Sequence, residues 1–401
     1  MKQQTNQSVV EWKEVALGDE EYFNILSSGI NKFQGEKDYL STESIKGTKI
    51  GKVECKITYE NRPSRANMQP ILNSVWFAKM KLTLKVYSFS EKNKEEFSRY
   101  ILSTGFAGIK FDKNIYSEYV KFFFLTTRFN EEKDKFSTGS TQSGINNSFI
   151  SKIKIPIPFS NGKPDIKEQE RIVKILEKAE KLKERGKNSK YLLDEYIRSV
   201  FNEMFYNNGF EEIELGKITE KVTDGEHITP KRFDKGIYLL SARNIKNHYI
   251  ALDNVDYIDE IEYTRISKRI KPTIGDVLVS CSGTIGNVVC VRSDLKFQLV
   301  RSVALIRTKK NILNPMFLEY LFESDLMKRQ IKNSVKQGLQ ANLFQGQIKK
   351  LKALVPPLKF QKDFENIVEH VEKLKENVKK TNTHSKALFN SLMHKAFRGE
   401  L

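Results

Sequence analysis

The side chains best suited to chemistry lie in a basic loop that contains a proline, Asn61-Arg-Pro-Ser-Arg-Ala-Asn67. An arginine fork can bind guanine O6 and N7 or a phosphate, while serine and asparagine can contact base edges or phosphate oxygens. Lysines and small polar side chains recur nearby, so this half of the chain is predicted to carry a surface that binds DNA. Its candidate residues are Arg62, Ser64, Arg65, Asn67, Lys79, Lys81, Ser140, Thr141 and Gln142.

A second group of the same composition occurs in the other half of the chain. It opens with a loop at 223–232, and the run from Gly275 to Val291 predicts a strand, a glycine turn and a strand that presents small hydroxyl side chains. Turn capping is the alternative role for these residues. The candidates here are Thr229, Lys231, Arg232, Arg243, Asn244, Ser282, Thr284, Gln340 and Asn342.

Catalytic motifs are missing from the sequence. It has no GxxxxGK[ST] phosphate loop, no GxSxG elbow, no two glycines separated by one residue, and no Asn/Asp-Pro-Pro-aromatic motif of amino-methylating enzymes. The five histidines lie far apart, which is typical of surface or capping positions, and the three cysteines form no CxxC pair. We therefore expect a non-catalytic chain from a reducing compartment, with no cofactor or structural zinc.

Charge indicates the class of partner. The 68 lysines and arginines against 50 acidic residues leave a formal net charge of +18, which favours a polyanion such as double-stranded DNA. No run of about 18 uncharged apolar residues occurs, so no membrane span is predicted. The N-terminal residues are polar and lack a signal peptide, and a cytoplasmic location is expected.

The chain repeats itself at a nearly constant shift. Gly18 and Gly216 close similar segments 198 residues apart, and Pro158 and Pro356 close another pair at the same shift. Between them, LSTGFAGIK from Leu102 matches LVRSVALIR from Leu299 at a shift of 197. We expect a duplication with mixed domains at 1–160 and 209–357 and long helices at 161–208 and 358–401.

The two long helices are predicted from apolar residues that alternate at steps of three and four, the pattern of a paired helix. Together they are expected to pack as an antiparallel coiled coil. A helix of about 40 residues would span roughly 60 Å, so we expect overlap with the domains or a break near Gly186. The predicted packing residues are Ile172, Ile175, Leu182, Leu193, Tyr196, Phe364, Ile367, Val371, Leu374 and Leu388.

Several motifs together resemble the specificity subunit of type I restriction-modification systems. They include Arg62-Pro-Ser-Arg-Ala66, Gly139-Ser-Thr-Gln142, Glu168-Gln-Glu-Arg-Ile172, Ser282-Gly-Thr-Ile-Gly286 and the closing Ala396-Phe-Arg-Gly-Glu-Leu401. The resemblance covers essentially the whole chain. Gly338-Leu-Gln-Ala-Asn342 departs from the expected second Gly-Ser-Thr-Gln, so the two domains are not expected to contact DNA through identical atoms.

The resemblance implies an α+β architecture of two target-recognition domains, each reading one half of a bipartite asymmetric DNA site. It also implies that the helices set the spacer and hold two modification subunits, which bind S-adenosylmethionine and methylate adenine. Restriction subunits that use ATP and Mg would join them to cut DNA. Two other functions remain open, namely a coiled-coil adaptor and the recognition part of another methyltransferase or nuclease system.

Overall fold

Two compact units make up the chain in the computed structural model, which describes residues 10–137, 144–206, 208–335 and 342–401. One unit comprises Met1–Lys187 and Lys380–Leu401, and the other comprises Asn188–Lys379. The part of the first unit that precedes its long helix is the first domain (residues 10–165), and the corresponding part of the second unit is the second domain (residues 208–357). In the described residues, no helix is both long and apolar enough to cross a membrane.

The first domain contains three sheets of three or four strands, a two-stranded ribbon and three short helices, followed by a long helix. The sheet orders are β2-β11-β8-β9, β6-β3-β10-β7 and β1-β12-β13, and the ribbon is β4-β5. The elements are β1 (Glu11–Ala16), β2 (Phe23–Ile25), β3 (Lys37–Leu40), β4 (Ile45–Lys46), β5 (Lys49–Ile50), β6 (Cys55–Ile57), β7 (Ala66–Met68), β8 (Ser74–Ala78), β9 (Val86–Phe89), β10 (Tyr100–Ser103), β11 (Phe106–Phe111), α1 (Ser117–Phe124), α2 (Thr127–Lys135), α3 (Asn147–Ile150), β12 (Lys154–Ser160), β13 (Lys163–Pro164) and α4 (Ile166–Phe205).

The second domain has a comparable set of elements in the same general order. Its sheets are β15-β23-β20-β21, β19-β16-β22, β14-β24 and β17-β18. The elements are β14 (Glu212–Glu214), α5 (Leu215–Ile218), β15 (Thr219–Asp224), β16 (Ile237–Leu240), β17 (Ile245–Lys246), β18 (Tyr249–Ile250), β19 (Asp256–Ile258), α6 (Glu260–Ser267), β20 (Val277–Ser280), β21 (Val288–Cys290), β22 (Phe297–Leu299), β23 (Val303–Thr308), α7 (Pro315–Phe322), α8 (Asp325–Val335), α9 (Gln345–Lys350), β24 (Lys352–Leu354) and α10 (Leu358–Ala396).

The duplication is visible in strand pairing. Glu14 pairs with Pro156 between β1 and β12, and Glu212 pairs with Leu354 between β14 and β24, so both partners shift by 198 residues. Each domain also has one parallel pair, β3 with β10 and β16 with β22, among otherwise antiparallel neighbours. The same backbone framework is therefore built twice, with different side chains on it.

The apolar stretch 75–86 has the composition of one strand, but in the structure it is divided between two strands. Strand β8 ends at Ala78, the chain turns through Leu82 at φ 59°, and β9 begins at Val86. The buried Lys133 of α2 stabilises this turn by donating hydrogen bonds to the carbonyl oxygens of Met80 (3.0 Å) and Thr83 (2.7 Å). Tertiary hydrogen bonds from a distant helix therefore override a locally strand-like sequence.

The long helices contact each other in both units and run antiparallel. In the first unit the start of α4 and the end of α10 share one apolar core, which includes Leu176 and Phe389. In the second unit the end of α4 and the start of α10 share another core, in which the Phe201 and Phe364 rings lie 5.3 Å apart in an edge-on arrangement. The predicted paired-helix arrangement is confirmed.

The predicted packing residues differ in burial. Leu182, Tyr196, Leu374 and Leu388 have 50%, 51%, 51% and 48% of their surface exposed. Ile172, Phe364 and Val371 are buried as expected, while Ile175, Leu193 and Ile367 are half-buried. The helix ends pack against their domains as well as each other, and this shifts the most buried positions to Val173, Leu176, Ile197, Phe201 and Val368.

Helix α4 continues through Gly186 without the break considered above. The glycine instead allows a close approach, because an added Cβ would lie 1.5 Å from the Asn382 Oδ1 of α10. The Asn382 Nδ2 donates a hydrogen bond of 2.9 Å to the Gly186 carbonyl. This contact fixes the register of the two helices within the first unit.

A buried glutamine near the start of each long helix connects that helix to its domain. The Gln169 amide accepts from the Tyr116 N–H (2.9 Å) and donates to the Asn114 carbonyl (3.1 Å). In the second unit the Gln361 amide accepts from the Asn314 N–H (2.8 Å) and donates to the carbonyls of Ile312 (2.9 Å) and Pro356 (2.7 Å). Both side chains are fully buried, so each satisfies backbone groups that have no access to water.

We expect Gln361→Leu to destabilise the second unit by at least about 3 kcal/mol. The change leaves one buried N–H and two buried carbonyls without this partner, and each unsatisfied group costs about 1–3 kcal/mol. Urea unfolding followed by circular dichroism measures the effect. Lys362→Leu at the adjacent exposed position is the matched control, expected within about 0.5 kcal/mol of wild type. Equal stability of the two variants would contradict the role assigned to the glutamine.

His248 is a half-buried side chain between two carboxylates in the second unit, which corrects the expectation that all histidines lie at surface or capping positions. Its Nε2 lies 3.2 Å from the Glu323 carboxylate and its Nδ1 lies 3.4 Å from that of Glu319, while its ring stacks on Tyr320 at 4.4 Å. Burial lowers the pKa of His248, but the two carboxylates more than reverse this and raise the pKa to about 9. The folded chain therefore holds a protonated imidazole at neutral pH.

The stabilisation from His248 should depend on pH. A folded-state pKa near 9 against an unfolded value of 6.5 means that the contribution is complete below about pH 6.5 and disappears as the pH rises through 9. The contribution of His248 to the free energy of unfolding is at most roughly 3 kcal/mol. We expect His248→Gln to lower the Tm most at pH 6 and very little at pH 10, whereas His384→Gln, at an exposed position of α10, changes it little at either pH. If His248→Gln lowers the Tm by the same amount at both pH values, the stabilisation does not have this electrostatic origin.

Candidate nucleic-acid interface

Backbone hydrogen bonds bring the predicted DNA-binding loops of the first domain together. The Arg65 carbonyl accepts from the Thr104 N–H (2.9 Å), and the Gly105 carbonyl accepts from the Lys79 N–H (2.9 Å). The Lys79 carbonyl in turn accepts from the Ile145 N–H (3.1 Å). The basic loop, the turn after β10, the end of β8 and the segment that begins at residue 144 therefore form one continuous edge.

The side chains on this edge differ in their availability. Ser64, Arg65 and Lys81 are exposed, and Asn67 is half-buried. Arg62 donates to the Tyr59 carbonyl, and its guanidinium carbon lies 4.2 Å from the centre of the Tyr59 ring. Burial lowers the pKa of Lys79, which is half-buried. Arg65 and Lys81 thus present the most accessible charges, while Arg62 is positioned by an aromatic ring.

The second domain forms a cleft of about 530 Å³ at the equivalent edge. The Cys281 N–H donates to the Ser302 carbonyl (2.8 Å), and the Cys281 carbonyl accepts from the Leu343 N–H (2.9 Å). These bonds place Ser282 opposite Asn342, and the two residues pair as an antiparallel bridge. The cleft is lined by Asp224, His227, Cys281, Ser282, Arg301, Ser302, Asn342, Leu343, Phe344 and Gln345.

Thr284 lies outside the residues that line this cleft. It is exposed in the turn between β20 and β21, and its hydroxyl accepts a hydrogen bond of 3.2 Å from the Asn287 Nδ2. The alternative role of turn stabilisation therefore has direct structural support at Thr284.

The remaining basic candidates of the second domain form a separate group. Arg232 and Arg243 both contact the Asp256 carboxylate, at 3.3 Å and 2.8 Å, and Arg243 also donates to the Asn254 carbonyl (3.1 Å). The Lys231 Nζ lies 5.3 Å from the centre of the Phe233 ring. Thr229 is exposed. DNA would have to compete with Asp256 for both arginines.

Asn244 is a structural residue, which corrects its assignment as a DNA contact. Only 2% of its surface is exposed. Its Oδ1 accepts from the Ser241 N–H (3.0 Å) and hydroxyl (3.1 Å), and its Nδ2 donates to the carbonyls of Ala251 and Asn254, both at 3.0 Å. Both lone pairs of the amide oxygen and both amide N–H donors are thus used inside the domain.

Four further candidates, Ser140, Thr141, Gln142 and Gln340, lie outside the described residues. Within the described residues, no group of three or more histidine, cysteine, aspartate or glutamate side chains is placed to hold a metal ion.

Comparison with known proteins places this arrangement in a family. The sequence profile described as "Type I restriction modification DNA specificity domain" matches residues 10–190 and 207–385, which is most of the chain and includes both domains. The chain belongs to the type I restriction-modification DNA specificity family. Its two matched segments begin 197 residues apart, close to the shift seen in the strand pairing.

Individual relatives agree with this family. The specificity subunit of the type I restriction enzyme EcoBI from Escherichia coli is 31% identical over 173 residues, which are 41% of this chain and 36% of the relative. The match thus spans little more than a third of that curated relative. A solved chain from work on complex assembly and conformational transition of the type I R-M system has a TM-score of 0.61 at 18% identity and covers 100% of both chains. The S subunit from M. genitalium has a TM-score of 0.53 at 14% identity and covers 99% of this chain and 98% of that one.

At these identities the two solved structures show a shared fold. The family match confirms the predicted family, its part in DNA specificity and the two α/β domains each followed by a long helix. Which side chains of this specificity family member contact DNA stays a prediction.

Sequence reasoning missed Arg301, which is exposed and lines the cleft of the second domain. It lies in the segment LVRSVALIR, the repeat partner of LSTGFAGIK in the first domain. Thr104 and Arg301 occupy equivalent positions at a shift of 197, so the repeat was the signal that could have drawn attention to Arg301.

We expect Arg65→Ala to weaken specific DNA binding at least tenfold, or about 1.4 kcal/mol, because an exposed guanidinium on the assembled edge is lost. Binding is measured by fluorescence anisotropy on the cognate duplex at physiological salt. Lys163→Ala, an exposed cation in the β12–β13 hairpin, is the control for the loss of one positive charge. An effect of Arg65→Ala no larger than that of Lys163→Ala would place the reading surface elsewhere.

Proposed function

We propose that this chain is the DNA specificity subunit of a type I restriction-modification complex, with each domain reading one half of a bipartite asymmetric site. The observation that carries the proposal is the repeated framework. Two domains with the same strand pairing, each attached to a long helix, provide two separate edges of hydrogen-bonding and cationic side chains. Different side chains on equivalent backbone positions would give the two half-sites different sequences.

The charge of the chain supports a nucleic-acid partner. A formal net charge of +18 favours binding to the phosphate backbone, which supplies affinity without sequence information. Sequence choice would come from the polar side chains on the two edges. We keep as base-reading or phosphate-binding candidates the exposed and half-buried members of the predicted set, and we propose domain bounds of 1–160 and 209–357 with helical segments at 161–208 and 358–401.

We propose that the paired helices fix the gap between the two half-sites. Within the first unit the register is set by the Gly186–Asn382 contact. Within the second unit the Lys375 ammonium lies 2.7 Å from Asp194 and 2.8 Å from Glu372, which links α10 to α4. Both helices are continuous over about 40 residues, so their length can act as a spacer.

Catalysis and cofactors would belong to partner subunits. In this proposal two modification subunits bind S-adenosylmethionine and methylate adenine, and restriction subunits use ATP and Mg to cut DNA. The chain would direct both activities in the cytoplasm, where its DNA target lies. Its helices and their flanks would hold the modification subunits.

The test lengthens both helices together. Seven residues inserted after Gly186 and seven after Thr381 preserve the pairing of residues on either side, because these two points face each other across the Gly186–Asn382 contact. One heptad adds about 10 Å, which corresponds to at most about three base pairs at 3.4 Å each. We expect sequencing of methylated adenines to show two unchanged half-sites separated by a longer gap.

The matched control carries only the insertion after Gly186. It puts the two helices out of register, and we expect loss of methylation without a new spacing. Methylation at the original spacing by the double-insertion variant would contradict the spacer proposal. A wild-type complex that methylates no bipartite site would contradict the proposed function as a whole.

A further inference from the structure

The arginines of the second domain differ in whether their charge is already neutralised. Six of them contact a carboxylate at 3.3 Å or less: Arg232, Arg243, Arg265, Arg269, Arg292 and Arg307. Arg329 instead donates to the Asp325 carbonyl and the Tyr206 hydroxyl. Among the described residues, Arg301 is the one arginine of this domain with neither a hydrogen bond nor an ion pair from its side chain.

The backbone that carries Arg301 is fixed on several sides. The Arg301 N–H donates to the Glu226 carbonyl (3.0 Å), and the neighbouring Ser302 carbonyl accepts from the Cys281 N–H (2.8 Å). The Ser302 hydroxyl accepts from the Ala242 N–H (3.0 Å), and a hydrogen bond from Val303 to Val300 (3.0 Å) closes the turn. Because the backbone of this turn is already ordered, little backbone conformational entropy is lost when the Arg301 guanidinium binds a ligand.

The surroundings of Arg301 favour a base over a phosphate. The cleft also contains Ser282, Asn342 and Gln345, whose polar groups can contact a base edge. Its one aspartate, Asp224, is engaged by Arg269 and His227, both at 2.9 Å, and so its charge is largely compensated. A planar arginine fork within a concave polar site matches the paired O6 and N7 acceptors of guanine.

The first domain has a different arrangement on the same backbone. Thr104 takes the position of Arg301, and its N–H likewise donates to a neighbouring loop, at the Arg65 carbonyl (2.9 Å). Lys79 takes the position of Cys281, with equivalent hydrogen bonds to Gly105 and Ile145. The cation thus comes from the end of β8 in the first domain and from the turn before β23 in the second.

We propose that Arg301 reads a guanine in the half-site of the second domain, with Ser282 and Asn342 positioned beside the same base pair or its neighbour. This inference rests on the proposed function. It assigns the specificity of one base position to one side chain, and it predicts that the first domain uses no arginine at the equivalent position.

The test compares Arg301→Ala, Arg301→Lys and the control Arg329→Ala in the full chain, assembled with its methyltransferase subunits. Each complex selects from a library of random duplex DNA, and fluorescence anisotropy then measures binding to the wild-type site at two salt concentrations. We expect Arg301→Ala to lose its guanine preference at one position of one half-site and to bind the wild-type site at least tenfold more weakly. Arg301→Lys should keep the charge but also lose the preference, because lysine lacks the bidentate fork.

The outcomes separate the inference from the function on which it rests. If wild type selects a bipartite site and Arg301→Ala selects the same site with equal preference at every position, the inference is wrong. Full guanine preference in Arg301→Lys would show that the bidentate arginine fork is not what reads the base. A uniform loss of affinity with a smaller salt slope in Arg301→Ala would show a phosphate contact, and either result would overturn the inference. If wild type selects no sequence, the proposed function fails instead. Arg329→Ala should match wild type in selected sequence.

Discussion

The hydrogen bonds of Gln169 and Gln361 are the constraint on which the arrangement of each unit depends. A long amphipathic helix has an apolar stripe that fits many surfaces, so burial alone does not fix its position along the axis. The glutamine amide does fix it, because its partners are particular backbone groups in the loop before α1 or α7. Both amides are buried, and a slip of the helix by one residue would leave several polar groups unsatisfied. The two copies keep this interaction although most surrounding side chains differ.

Part of the positive charge of this basic chain is paired inside the fold. Arg232 and Arg243 share Asp256, and Arg307 pairs with the buried Asp276, so these charges stabilise the fold. Arg301, by contrast, is exposed in the cleft of the second domain. Net charge therefore indicates the class of partner, whereas the pattern of internal ion pairs indicates which cations remain available to it.

Much of the fold follows from the sequence because repetition and helical periodicity report on backbone structure. The shift from Gly18 to Gly216 reappears as equivalent strand pairing, and the apolar stripes mark the paired helices. Tertiary context decided the rest. The turn after Ala78 depends on hydrogen bonds from the buried Lys133. The exposure of Leu182 and Leu374 depends on where the helices leave their domains. The structural role of Asn244 depends on carbonyl groups seven and ten residues away. Single-residue contacts such as these have no periodic signature.

The composition of the first unit has a consequence for synthesis on the ribosome. Its core contains Phe389, Met393 and Phe397, which are made about two hundred residues after the first domain itself. The continuous segment 188–379 is thus available in full before the first unit can complete its core. A product interrupted before residue 380 would expose the apolar surface that these three side chains cover, and would be a target for proteolysis. The core of the first unit is therefore completed only after the last helix has been synthesised.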